Sequence, residues 1–596
     1  MPSQRRPALL TLSLIGAALF VLSACGGGAA DVVNTAADSG TSGSTGSGSS
    51  GGSGSTGSTG SGSTGTGSGS GGTGGTGGTG GTGGSGGTTT PTPAGTDVVT
   101  YKNDVARTGQ NLTEATLTLT NVTSATFGLL RTLAVDGKVD AQPLYLSQLT
   151  VAGAAHNVVF VATESDSVYA FDSDTGATLW HVFLLPSGET TSDTHGCGQV
   201  TPAIGVTSTP VIDRSAGTNG AIYVVAMSKD SSSAYHQRLH ALDVTTGAEL
   251  FNGPVTITGT YTAPGSVATT FEPGQYEERA ALLLSQGIVY TSFTSHCDGA
   301  PYAGWMMGYG ETTLAQTSIL NIAPNSNSGP AIWMSGGGPG ADSSGNIYLL
   351  SANGAFETTL DANGFPNKQD YGNSFLRLAA TGTTLTVADY FTMSNEVAES
   401  NSDQDLGSGG ELLLPDLTDS TNTVRHLVVG AGKDGNIYVV NRDSMGKFNA
   451  SSNNIWQQLS GALPGGIWST PAYFNGTLYY GDSGATLKAF AITNAKLASS
   501  PSSQSPSQFP FPGTAPAVSA NGTANGIVWT HQNSSPQAVL HAYDAGNLAH
   551  ELYNSSQAAN NRDQFGAGNK FITPTIADGK VFVGTQKSVA VFGLLQ

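Results

Sequence analysis

The residue types able to ligate a metal or hold a redox bond gather in two short motifs, His195-Gly196-Cys197 and His296-Cys297. Two His and two Cys are a tetrahedral zinc set by type. However, a His directly beside a Cys chelates poorly, and in an oxidising compartment the two thiols pair instead. A disulfide joining long loops of Cys197 and Cys297 is the expectation, with free thiols and zinc as the alternatives. It would close a loop of about 100 residues and contribute about 4 kcal/mol by chain entropy. Glu357, Glu411 and Asp434 are the carboxylates placed where they could be drafted as metal ligands. Each is read as a solvated loop carboxylate, so no metal site and no catalytic set is expected. The Gly-rich stretches 335–340 and 407–410 lack a following Lys-Ser/Thr and a helical pattern, which makes them turns rather than phosphate cradles.

The third cysteine belongs to the N-terminus. Arg5 and Arg6 precede an apolar run from Ala8 to Leu22, which has the form of an export signal and is too short to span a bilayer. Leu22-Ser23-Ala24-Cys25 resembles the bacterial lipobox, implying cleavage after residue 24 and acylation of Cys25. Gly26, in place of Asp, resembles outer-membrane lipoproteins. The expected location is therefore the cell envelope, lipid-anchored, at the outer membrane of a Gram-negative bacterium. Loss of Arg5 and Arg6 with the signal takes the net charge from −19 to −21. So acidic a chain is repelled by phosphate backbones, which argues against nucleic acid as a partner.

The rest of the chain must position these groups. Residues 25–97 are almost wholly Gly, Ser and Thr and cannot bury a core, so they form a disordered tether with a reach of roughly 45 Å. From residue 98 to 596 the texture changes to short Val, Ile, Leu, Tyr and Phe runs broken by Gly, Asn, Asp and Ser. That is an all-β pattern with no sustained helical period. The runs repeat. A Pro-marked strand, a Gly-led strand and a strand ending in aromatic-x-Asp recur from Gln142-Pro143, Ser208-Thr209-Pro210, Ser469-Thr470-Pro471, Ala515-Pro516 and Thr573-Pro574. Weaker copies lie near 282–309, 332–378 and 412–440, giving eight units. Eight four-stranded units predict a β-propeller, whose radial closure leaves few free sheet edges. Pro-marked first strands would line its channel and place Gln142, Thr207, Arg279, Trp333, Lys433 and Trp468 near the mouth as ligand-binding candidates.

The sharpest motif is Ala170-Phe171-Asp172-Ser173-Asp174-Thr175-Gly176-Ala177-Thr178-Leu179-Trp180, echoed at 241–251. Asp can accept from amides two residues on, Gly takes a left-handed turn position, and the aromatic packs between blades. The spelling resembles the docking motif of pyrroloquinoline-quinone-type propeller repeats, found in quinoprotein alcohol dehydrogenases and in non-catalytic relatives. The likeness extends through N-D-x-A-R-T-G-Q-N at 103–111, A-Q-P-L-Y at 141–145, S-H-C-D at 295–298 and G-A-G-K-D-G-N-I-Y at 430–438. It implies the propeller fold. The enzymes' adjacent Cys-Cys pair and any C-x-x-C-H haem motif are missing from the sequence. The expectation is a binding or scaffold module with no cofactor and an unknown protein or carbohydrate partner. The alternatives are a divergent oxidoreductase using pyrroloquinoline quinone with calcium, and an outer-membrane assembly scaffold.

Overall fold

The computed structural model describes residues 97–263, 266–381 and 383–596. The signal segment, Cys25 and the tether up to residue 96 lie outside them. The described chain forms eight antiparallel four-stranded blades. They span residues 144–183, 211–256, 283–321, 340–392, 412–459, 472–509 and 517–554, and the eighth is built from 575–594 and one strand taken from the N-terminal side. That strand, Phe127–Ala134, pairs antiparallel with Ser588–Leu594 and closes the ring. A short helix, Glu396–Asn401, and a few 3-10 turns complete the elements.

The inner strands of the blades follow from continuous runs of buriable residues. In Ser167–Asp172 and Ala221–Lys229 nearly every residue is buried, because both faces pack on neighbouring blades. The Asp172 turn holds its blade to the next. Asp172 Oδ1 accepts from the amides of Asp174 (3.0 Å) and Thr175 (2.7 Å), and Gly176 takes φ +82°. Trp180 then donates from Nε1 to Val244 O of blade 2 at 3.0 Å, with its ring against Gly247, where a Cβ would come within 2.8 Å.

One segment touches the first strands of the ring in turn. Val98 bridges Tyr145, and the carbonyls of Val99, Val105, Ala106, Thr108 and Gly109 accept from Ile212, Ala341, Leu413, Tyr473 and Val518 at 2.7–2.9 Å. Asn111 Nδ2 donates to Ile576 O in blade 8 at 2.9 Å. Arg107, wholly buried, reaches the remaining blade through Leu282 O (3.1 Å) and also donates to Pro339 O (2.8 Å), Tyr101 O and Thr100 Oγ1. A 14-residue stretch can do this only if all eight first strands converge on one axis. It therefore plugs one end of the channel, the end where first strands turn into second strands.

The plug overturns one sequence expectation. Glu411 is not a solvated loop carboxylate: it is 1% exposed, accepts from the Gly340 amide at 2.7 Å, and lies in the field of Arg107. Burial pushes its carboxyl up to about 8. Glu357 and Asp434 do sit in loops, accepting respectively from the Lys368 and Asp370 amides and from Asn436 and Tyr438. The Arg107→Met substitution should lower stability by about 3 kcal/mol or more, since several buried acceptors lose their donor together. Urea denaturation would read this as a lower midpoint at unchanged slope.

Candidate functional site

The loops that join each blade's last strand to the next blade's first emerge at the end of the channel opposite the plug. Three small adjoining cavities lie there, of about 50, 20 and 10 Å³. Trp333 borders the first and second, and Phe571 the first and third. Four aromatic rings, all half-buried, make a collar. Trp333 meets Phe571 edge-on at 5.3 Å, and Trp468 meets Phe511 edge-on at 5.3 Å. Arg279 covers the Phe571 face at 4.8 Å and Lys570 the Phe511 face at 5.6 Å.

Beneath the collar the wall is rich in buried charge. Glu277 and Arg279 line the largest of the three cavities. Both Glu277 carboxylate oxygens, and Arg279 Nε and Nη1, lack hydrogen-bond partners, although these side chains are almost wholly buried. Burial pushes Glu277 up to about 7 and Glu278 up to about 8, partly offset for Glu277 by Arg279. Behind them Asp140 sits 2.9 Å from Lys138 and 3.9 Å from Arg279. Although burial opposes it, these cations hold Asp140 below its ordinary value, while burial and Asp140 together raise its neighbour Glu164 well above. One carboxyl ionised beside one protonated is the arrangement two close acids adopt.

Cys197 and Cys297 form a disulfide with Cα atoms 5.7 Å apart, and it sits on this rim. It ties the loop before blade 2 to the second-to-third-strand turn of blade 3. Its histidines stack on each other rather than converge on a point: His195 lies 4.1 Å from His296 and 4.3 Å from Tyr235. His296 donates from Nε2 to Tyr276 O at 3.1 Å, leaving Nδ1 facing Glu277 Oε2 at 3.7 Å. Burial pushes His296 down to about 4, so it is neutral there near pH 7. Among the described residues no group of three or more His, Cys, Asp or Glu is arranged to hold a metal ion. The disulfide loop also carries Gln199, which lines the first two cavities and accepts from the Cys297 amide at 3.4 Å.

Of the six sequence candidates, the structure gathers Arg279, Trp333, Lys433 and Trp468 around the mouth. Lys433 forms ion pairs with Asp403 (3.0 Å) and Asp405 (2.6 Å). Gln142 lies deeper and turns toward the plug, accepting from the Lys102 amide and donating to Thr575 Oγ1. Thr207 is buried and donates to Glu164 Oε2 at 3.0 Å. Phe511, Lys570, Phe571, Asp140, Glu164 and Glu277 were not read from the sequence. The available signal was acid-acid-base at Glu277-Glu278-Arg279, directly before a first strand.

Two stability tests follow from this geometry. Raised carboxyls bind protons in the folded state that the unfolded chain has released, so their stabilisation is complete below about pH 4.5 and is lost as pH rises through 7 to 8. Glu277→Gln should therefore flatten the fall in melting temperature between pH 6.5 and 8, a difference of about 1 kcal/mol. Cys297→Ser should cost about 4 kcal/mol through the freed 100-residue loop, read by denaturant midpoint against the oxidised protein.

Neither a protein-family model nor a curated protein matches the sequence. Solved structures do. Quinohemoprotein alcohol dehydrogenase from Comamonas testosteroni superposes with a TM-score of 0.52 at 15% identity, covering 83% of this chain and 80% of that one. A quinohemoprotein alcohol dehydrogenase from Pseudomonas putida HK5 gives 0.53 at 13%, covering 84% and 80%. BamB from Moraxella catarrhalis is more distant, at 0.36 and 12% over 76% of this chain and 97% of that one. The quinone and calcium that such a fold implies do not fit this mouth. A cavity of about 50 Å³ has room for roughly three or four waters, against the roughly 300 Å³ or more of a cofactor site. With eight four-stranded blades, an axial mouth and these structural neighbours, the chain has the quinoprotein alcohol dehydrogenase-like β-propeller fold.

Proposed function

We propose that the chain is an exported, lipid-anchored binding module of the cell envelope that presents the open mouth of its propeller to a ligand. The observation that carries this reading is the mouth itself, a collar of four half-buried aromatic rings over buried Glu277 and Arg279, whose Oε1, Oε2, Nε and Nη1 have no hydrogen-bond partner. Half-exposed rings above polar atoms that still lack partners are the composition of a recognition site. Support against catalysis comes from the two cysteines, which lock two blades instead of forming an adjacent pair, and from the small cavity beneath them. Cys25 supplies the anchor in this reading.

The test has two parts. Pyrroloquinoline quinone with calcium chloride, titrated into the full chain, should give no bound-quinone absorbance and no ethanol-dependent dye reduction; both appearing together would overturn the binding-module reading in favour of an oxidoreductase. Cys25→Ser should move the protein from the membrane to the soluble envelope fraction, and retention in the membrane would remove the anchor.

A further inference from the structure

The composition of the mouth narrows its ligand, and this narrowing rests on the binding-module reading. The collar provides apolar ring faces, of which the Phe571 and Phe511 faces are already covered by Arg279 and Lys570. Trp333 and Trp468 are therefore the rings left to stack on a ligand. Below them the unpartnered buried atoms alternate in kind. Arg279 Nε and Nη1 donate; Glu277 accepts, and donates from one oxygen while its carboxyl holds a proton; at the neighbouring cavity Trp468 Nε1 donates.

Charge excludes two classes. A cation entering the cavity meets the Arg279 guanidinium, with Lys570 on the same wall and Lys138 behind. An anion meets ionised Asp140, 3.9 Å beyond Arg279, which already faces that guanidinium and offsets its charge. What remains is an uncharged molecule whose groups both donate and accept, which is the property of a hydroxyl. It must also offer an apolar face to an indole. Volume sets the pose: about 50 Å³ admits a hydroxymethyl arm and a water or two, and not a ring. Gln199, held at the rim by the Cys197–Cys297 disulfide, adds a side-chain amide beside the same opening.

We propose that the mouth binds an uncharged saccharide, stacked on Trp333 with an exocyclic hydroxymethyl group entering the cavity beside the Trp333–Phe571 pair to reach Glu277 and Arg279. The contacts are noncovalent and no bond is made or broken. Trp333 and Glu277 carry the specificity, Trp333 by stacking and Glu277 by accepting from the inserted hydroxyl.

The test is a glycan array of neutral and acidic mono- to hexasaccharides probed with the labelled full chain, and with Trp333→Ala and Glu277→Gln. Signal on neutral glycans that carry a hydroxymethyl arm is expected, reduced at least tenfold by Trp333→Ala, with Trp fluorescence quenching by the best glycan in solution. Circular dichroism and melting temperature confirm that each variant is folded. A blank array, signal confined to acidic glycans, or signal unchanged in folded Trp333→Ala would overturn the saccharide assignment. Failure here is distinct from failure of the binding-module reading, which falls only if quinone-dependent alcohol oxidation appears.

Discussion

Eight wedge-shaped sheets make a closed ring only if their innermost strands are held at one radius, and here a single segment sets that radius. Residues 98–111 run around the axis and give a main-chain or side-chain bond to the first strand of each blade in turn. Arg107 is the centre of it. Its guanidinium is planar, always charged and able to donate five times, which suits a place where several carbonyls point inward and no water is near. Lys102 does the same for blades 6 and 7, donating to Thr470 O, Pro471 O and Pro516 O. Close approach at the axis is then obligatory. Gly337 and Gly410 both face Thr470 so closely that a Cβ would come within 2.5 and 2.2 Å of its Oγ1.

The plug also makes the two ends of the channel chemically unlike. In the plug itself Lys102 and Arg107 are spent on carbonyls, and Arg107 has a full set of acceptors, although Glu411 Oε2 beside it keeps no hydrogen-bond partner. At the open end Arg279, Glu277, Glu278 and Trp468 keep atoms without partners in a low-dielectric setting. Leaving such atoms unpaired costs about 1–3 kcal/mol each, so a chain optimised for stability alone would have filled this end with apolar side chains. What sets the open end apart is that these atoms line cavities under four half-buried rings, where a ligand or ordered water can reach them, and the recognition reading attaches to that combination.

The blades were legible because their signals are local. Asp172, Gly176 and Trp180 lie within nine residues, and each does in the structure what its type and spacing imply. Thr470-Pro471 and Thr573-Pro574 likewise mark the approaches to first strands. What was not legible is held by long-range contacts between polar groups. The run 103–111 carries the family likeness but not its role, because nothing in Arg107 or Asn111 says that their partners lie 175 and 465 residues away. The strand 127–134 could not be assigned to blade 8 for the same reason. Glu411 and Glu277 look like ordinary carboxylates until the ring closes over them and burial changes their protonation.

The disulfide shows how the fold and the site separate. Blades 1 and 2 pack without it, since Trp180 already joins them through its indole and turn. Cys197 and Cys297 instead join two loops, and they bring Gln199, His195 and His296 to the rim. Once His296 is pinned by Tyr276 O and stacked on His195, its free nitrogen points at Glu277, and the acid is shut into the wall of the cavity. The same bond that removes the cysteines from redox or metal chemistry therefore shapes the mouth.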